Sequence, residues 1–445
     1  MTILTQEQTK RICDRVLAAS KADECRVTVS GNRNGNIRFA RNAVSTAGLA
    51  DDVSIAVQVA FGKRQGVATI NEYDDKSLDK AVRRAEELAR LAPENPEFMP
   101  AVGKQDYKAS STFSARTAAI DPEFRAQTAA YAIEACKKQN LVAAGFFSDQ
   151  TAFSAVANSN GVFGYQQTTD LDFTCTVRTA DGRGSGWVKR SANDAARFDA
   201  REAADVAIQK AVRSVDAKAL EPGRYTVILE PAATSELLGN MLFGFDARAT
   251  DEGRSFLSKQ GGASRLGDKL FDEKVNIWAD PWNPDVPVLP WDGSSGIARQ
   301  RMELIKNGRV NALEYSQFWA KKKGVQPTAR PGNIIMAGTD KSLDELIAGT
   351  KKGVLVTRTW YIRMVDPQSV LLTGLTRDGT FYIENGKIKY PIKNFRFNES
   401  PVTMLNNIDE IGKPVVIAGD ETPFQMLIPP MRVRDFNFTS LSDAV

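Results

Sequence analysis

The 445-residue sequence contains no histidine. Ordinary composition would place roughly ten in a chain of this length. The absence excludes every mechanism that depends on an imidazole: a Ser–His–Asp triad, a Cys–His dyad, an H-E-x-x-H zinc site. It also removes the side chain whose ordinary titration falls near neutral pH. Any catalysis would fall to Asp, Glu, Lys, Tyr, Cys or a cofactor. Cysteine is scarce too. Cys13, Cys25, Cys136 and Cys175 all lie in the first half, and none forms a C-x-x-C pair. They read as reduced, buried thiols of a cytoplasmic protein. No run reaches the ~18 apolar residues of a membrane-spanning helix. The charged start (Glu7, Lys10, Arg11, Asp14, Arg15) is no signal-peptide core. Neither sign of charge dominates: 58 Lys and Arg against 54 Asp and Glu leave +4. That balance does not predict direct nucleic-acid binding.

Several local patterns fail as functional motifs. Gly182-Arg183-Gly184-Ser185-Gly186 sits between strands without a following helix, so it reads as a hairpin turn. Gly293-Ser294-Ser295-Gly296 does not fit the nucleophile elbow. Ser77 begins an S-x-x-K match but reads as a helix N-cap. Lys321-Lys322-Lys323 reads as a solvated face before Gly324.

What is present is periodicity. Thr5 and Gln8 make a capping box for an N-terminal amphipathic helix. Strand signals run over 25–30, 36–41 and 44–49. Val53, Ile55, Val57, Val59 and Phe61 then alternate, so that strand buries one face. A helix follows with Leu78, Ala81, Val82, Ala85, Leu88 and Ala89 inward. The same order recurs: a helix over 122–139, strands from Ala143, and alternation at Leu171, Phe173, Cys175 and Val177. A helix over 200–215 closes it, with Ala204, Ala207, Ile208, Ala211 and Val212 inward. Asn158-Ser159-Asn160-Gly161 echoes Asn32-Arg33-Asn34-Gly35 as a turn before a strand. The expected fold class is α+β. Residues 1–220 form an N-terminal α/β domain of two repeated units, about 1–105 and 106–220, with antiparallel sheet under helices. Residues 221–445 form a β-rich barrel or sandwich-like domain. There Tyr225–Leu229 is a strand, 232–243 a helix, and Ser342 with Glu345 a capping box.

The second half carries a sequence of phrases: Gly353-Val354-Leu355-Val356-Thr357-Arg358-Thr359-Trp360-Tyr361-Ile362-Arg363, then Thr373-Gly374-Leu375-Thr376-Arg377-Asp378-Gly379-Thr380-Phe381. Ile383-Glu384-Asn385-Gly386-Lys387-Ile388 and Pro391-Ile392-Lys393-Asn394-Phe395-Arg396-Phe397 follow. With Gly66-Val67-Ala68-Thr69-Ile70-Asn71 and the terminal Pro430-Met431-Arg432-Val433, the chain resembles the TldD/PmbA (TldE) family, once called modulators of DNA gyrase. The resemblance implies a two-domain dimeric protein. It also implies that TldD-type members are zinc metallopeptidases cutting unfolded or small peptides. Their helix after the first C-terminal strand carries H-E-x-x-x-H, and TldE/PmbA-type members lack that motif.

Here the equivalent helix reads Thr234-Ser235-Glu236-Leu237-Leu238-Gly239-Asn240-Met241. Glu236 and Asn240 lie four apart and share a helix face. One carboxylate and one amide are not a zinc site. The chain therefore reads as a non-catalytic TldE/PmbA-type subunit with no catalytic residue, no metal ligand and no zinc. Its expected partners are a second copy or a TldD-type zinc metallopeptidase, and peptide. Trp282, Trp291, Trp360 and Tyr361 are candidates for apolar contact with peptide, and Arg358, Arg363 and Arg377 for gripping a carboxylate. A second reading is an active hydrolase with a carboxylate metal site drawn from Glu236, Asp246, Asp251 and Glu252, which would suit Mg or Mn. A third is a regulator that binds another protein, as the gyrase name suggests.

Overall fold

The computed structural model describes residues 3–418 and 424–442. Helix α1 (Gln6–Ala19) opens the chain on the expected Thr5/Gln8 capping box. Three strands follow, β1 (Glu24–Ala40), β2 (Ala43–Phe61) and β3 (Arg64–Ile70), then α2 (Asp75–Leu91). A linker with one helical turn, α3 (Ala115–Ala118), leads to the second unit. That unit is α4 (Pro122–Lys138), β4 (Leu141–Asn158), β5 (Phe163–Thr179), β6 (Ser185–Ala192) and α5 (Ala200–Arg213).

The six strands make one antiparallel sheet in the order β3-β2-β1-β4-β5-β6. The two units thus meet at their first strands, and each ends a sheet edge with its third. Alternation puts Val27, Val29, Ile55 and Val57 under α1 and α2. Phe147, Phe173, Cys175 and Val177 lie under α4 and α5. Each unit seats its last helix on its last strand through the same device. A Cβ on Gly66 would collide with the Ala85 carbonyl and the Ala89 amide, and one on Gly186 with those of Ala207 and Ala211. The bare glycine lets the helix backbone touch the strand.

Three local expectations give way. Asn32–Gly35 is no turn but the middle of β1, which pairs with β2 on one side and β4 on the other. Two flanking strands override the turn preference of Asn and Gly. The cap of α2 is Asp74, whose side chain accepts from the Ser77 amide; Ser77 itself lies inside the helix. Val212 is exposed, because α5 turns its Ala203, Ala204, Ala207, Ile208 and Ala211 stripe to the sheet instead.

The second half begins with β7 (Gly223–Leu229), α6 (Pro231–Leu242) and α7 (Ala247–Asp251). Next come β8 (Ile277–Ala279), β9 (Met302–Lys306), β10 (Arg309–Val310), α8 (Gln317–Lys323), β11 (Asn333–Met336) and α9 (Leu343–Ala348). The last elements are β12 (Lys352–Asp366), β13 (Leu371–Glu384), β14 (Lys387–Pro391), β15 (Asn394–Glu399), α10 (Pro401–Asn406), β16 (Ile408–Ile411), β17 (Val415–Ala418), β18 (Gln425–Ile428) and β19 (Met431–Ser442). Strands β7, β12, β13, β15 and β19 pair in a ring, closing a five-stranded barrel. A second sheet runs β10-β9-β8-β11-β18-β17. Helix α6 lies in the core shared by barrel and second sheet, its Leu237, Leu238 and Met241 fully buried with Val227, Val356, Ile334 and Met426. The fold is α+β, with antiparallel sheet first and a β-rich barrel second. The Lys321–Lys323 run is the last turn of α8, exposed and stopped by Gly324 in the left-handed region at φ 69°.

Candidate functional site

Barrel strand β7 runs straight into α6. Glu230 stands at the N-cap and Pro231 at the first helical position, where a missing N–H costs nothing. Glu236 is 5% exposed. The Asn240 amide nitrogen donates to the Glu236 carbonyl at 2.8 Å, and the Ser235 hydroxyl donates to the Ala232 carbonyl at 3.2 Å. Glu236 and Asn240 do share a face, but the contact runs from side chain to backbone. A metal ion here would meet one carboxylate flanked by a hydroxyl and an amide, both turned back onto their own helix. That set does not fit zinc, which takes imidazole, thiolate and carboxylate.

The carboxylates proposed as an alternative metal site do not converge. Asp246 caps α7 by accepting from the Ala249 amide at 2.6 Å. Asp251 accepts from the Trp319 indole at 2.7 Å and pairs with Lys323 at 2.9 Å. Glu252 pairs with Arg248 at 2.9 Å and Arg254 at 2.6 Å. Among the described residues no three Cys, Asp or Glu side chains group to hold a metal ion.

The structure does gather part of the arginine and aromatic set. Arg358 and Arg377 are direct cross-strand partners on β12 and β13. Two like charges so placed repel. Asp378 offsets this: its carboxylate takes the Arg358 guanidinium at 2.9 and 2.5 Å and lies 3.7 Å from Arg377. Asp378 also accepts from the Ser185 hydroxyl of β6 at 2.6 Å, so the cluster stitches the first sheet to the barrel. Trp187 stacks on Arg358 at 4.3 Å, and Trp360 on Arg377 at 4.1 Å. Arg358 is therefore already engaged by a protein carboxylate, which removes it as a grip for a peptide's. Tyr361 and Arg363 stack on each other at 4.1 Å further along β12. There a bulge puts Tyr361 at φ 54° and leaves Trp360, Tyr361, Met364 and Val365 between 38% and 53% exposed.

The tryptophan loop lies elsewhere. Trp291 is 1% exposed, packed on Tyr107 at 5.1 Å with Val156 and Val162. It is a core side chain of the seam and offers no surface to a peptide. Trp282 is half-buried. Its indole donates to the Lys108 carbonyl at 3.2 Å under the Lys108 ammonium, pinning the linker.

Beside the arginine cluster lies a cavity of about 420 Å³. Trp187, Lys189 and Val206 line one side; Glu230, Pro231, Thr357, Val415 and Ile417 line the other. Its walls are mostly apolar. Charged side chains sit among them, including Lys189, Lys341 and Lys413, and Lys210 pairs with Glu230 at 2.7 Å with both side chains about one-sixth exposed. Strands β6 and β17 on its walls each end their sheet. Sequence reasoning missed Trp187, Lys210, Glu230 and Asp378. Glu230-Pro231 carried a readable signal as a helix start; the others became neighbours only through tertiary packing. The cysteines are free and buried. Burial pushes the Cys13 thiol up to about 12 and those of Cys25 and Cys136 to about 11.

Three family models match the chain in order: the PmbA/TldA metallopeptidase domain 1 over residues 25–89, its central domain over 115–215 and its C-terminal domain over 222–440. Metalloprotease PmbA of Escherichia coli O157:H7 is 22% identical over 437 residues, covering 94% of this chain and 93% of that protein. A zinc metalloprotease TldD homolog of Saccharolobus solfataricus is 26% identical over 224 residues, 43% of this chain and 44% of its own. Among solved structures, TldE of Thermococcus kodakarensis superposes with a TM-score of 0.86 at 17% identity, covering 97% of this chain and 99% of its own. A Thermotoga maritima protein whose name links it to DNA gyrase gives 0.85 at 18% identity, with 97% and 100% covered.

Proposed function

Because the chain belongs to the PmbA/TldA metallopeptidase family, we propose that it is a non-catalytic, TldE/PmbA-type subunit. In this reading it holds no zinc, works in the cytoplasm, and forms a dimer with itself or with a TldD-type zinc metallopeptidase. Its part is to wall a chamber and present unfolded or small peptides for proteolysis. The observation that carries the reading is α6. Ser235 and Asn240 flank Glu236 where a histidine pair would be needed, and both are bonded to their own helix backbone. The cavity between β6 and β17 supports peptide binding. Apolar walls and sheet-edge backbone accept extended chains with little regard to sequence. The exposed Trp360–Val365 arm offers further apolar contact.

The test is an assay on an unfolded peptide with and without added zinc. The chain alone should leave the peptide intact, and adding a TldD-type partner should give cleavage faster than the partner alone. Zinc-dependent cleavage by the chain alone would overturn the reading.

A further inference from the structure

The two repeat units differ at one place that their symmetry makes conspicuous. In each, the third strand covers only the second half of the middle strand. Strand β3 pairs with Ile55–Phe61 of β2, and β6 with Leu171–Arg178 of β5. The first half of each middle strand is thereby left as an edge. In the second unit the linker fills it. The Thr169 amide donates to the Thr112 carbonyl at 2.9 Å, the Thr112 hydroxyl to the Gln167 carbonyl at 2.6 Å, and Tyr107 covers Gly164. In the first unit no described strand pairs with the corresponding edge of β2. Residues 43–52 are exposed at every position, on both faces of the sheet.

That edge is also undefended. Exposed edges are ordinarily blunted with Lys, Pro or inward charge. Residues 43–50 read Ala-Val-Ser-Thr-Ala-Gly-Leu-Ala, without one charge or proline, and Val44 and Leu49 are each about half exposed. Charge sits only at the ends: Arg41 before the strand, Asp51 and Asp52 after the apolar stretch. Antiparallel pairing of two identical strands brings opposite ends together. A two-fold axis through Gly48 would set Ala47 of one copy against Leu49 of the other, and Arg41 beyond the acidic end of its partner.

We propose that the β2 edge over residues 43–52 is the self-association surface of this protein, joining two copies through one continuous sheet. The proposal rests on the dimer reading above and assigns it a place. A second copy of the chain supplies to the first unit what the linker supplies to the second.

The test uses the full chain and two charge insertions, Gly48→Lys and Leu49→Lys. A Cβ at Gly48 meets only Asn36, at 3.5 Å, so the folded protomer accommodates it. Leu91→Lys, at a side chain 76% exposed on α2, is the control. Light scattering coupled to size exclusion should give twice 48.7 kDa for wild type and control. Both edge variants should weaken the dimer by more than about tenfold, as like charges meet across the axis. Unchanged circular dichroism shows that they fold. In wild type, amide exchange over 43–52 should slow as concentration rises. A dimer that both edge variants leave intact overturns the assignment and spares the dimer reading. A wild-type monomer at all concentrations overturns self-association itself. An edge protected only when a different protein is added also refutes the second copy as its occupant.

Discussion

Replacing Asp378 by Asn is the most informative perturbation of the seam. Asn keeps the shape and tolerates the left-handed φ of 54°, so the change isolates the charge. The carboxylate is 1% exposed and binds Arg358, itself 13% exposed, at 2.5 Å, with Arg377 at 3.7 Å. Solvent therefore screens the pair little. Removing one partner of a buried pair costs about 3–5 kcal/mol. Asn keeps a hydrogen-bond acceptor for Ser185, so we place the loss near the lower end, about 3 kcal/mol. Urea unfolding followed by tryptophan fluorescence measures it, because Trp187 and Trp360 stack directly on the two arginines. The emission of the folded variant should also shift as these rings loosen. A stability change under about 0.5 kcal/mol, the range of an ordinary surface substitution, would refute the claim that Asp378 ties the first sheet to the barrel.

Asp170 gives a pH test. Burial, then Asp172 and Asp149, raise its carboxyl from 3.8 to about 7. The folded state holds this proton more tightly, so between about pH 4 and 7 rising pH favours the unfolded chain, by up to about 4 kcal/mol. Asp170→Asn should flatten that decline and gain on wild type toward pH 7; parallel stability curves would contradict it. Gly66→Ala and Gly186→Ala should each cost more than about 2 kcal/mol in urea unfolding, because both press a methyl into helix backbone. Tolerance of either would break the equivalence of the two units. Thiol reagents at pH 8 should leave native Cys13, Cys25, Cys136 and Cys175 unmodified and label all four after denaturation, since burial holds the thiols protonated. A fast native thiol would count against this.

The sequence made the framework of the first half legible through period and repetition. Alternation at Val53–Val59 and Leu171–Val177 fixed which face each strand buries, and the alanine stripes of α2 and α5 fixed the helices. What failed was local chemistry overruled by neighbours. Asn32–Gly35 reads as a turn until β4 is known to lie beside it. The site was legible where it depended on residue identity: the loss of histidine from α6 needs no coordinates. It was not legible where it depended on contact. Nothing near Arg358 in sequence announces Ser185 or Trp187, which arrive from a different sheet. Trp291 read as a candidate for peptide contact because its cover, Tyr107, comes from the distant linker.

The central claim is that α6 cannot hold the metal on which its catalytic relatives depend. It is tested most directly by the zinc content of the purified chain after incubation with excess zinc and removal of the unbound ion. The account predicts far less than one zinc per chain, unchanged in Glu236→Gln. One tightly held zinc per chain, lost in Glu236→Gln, would contradict it.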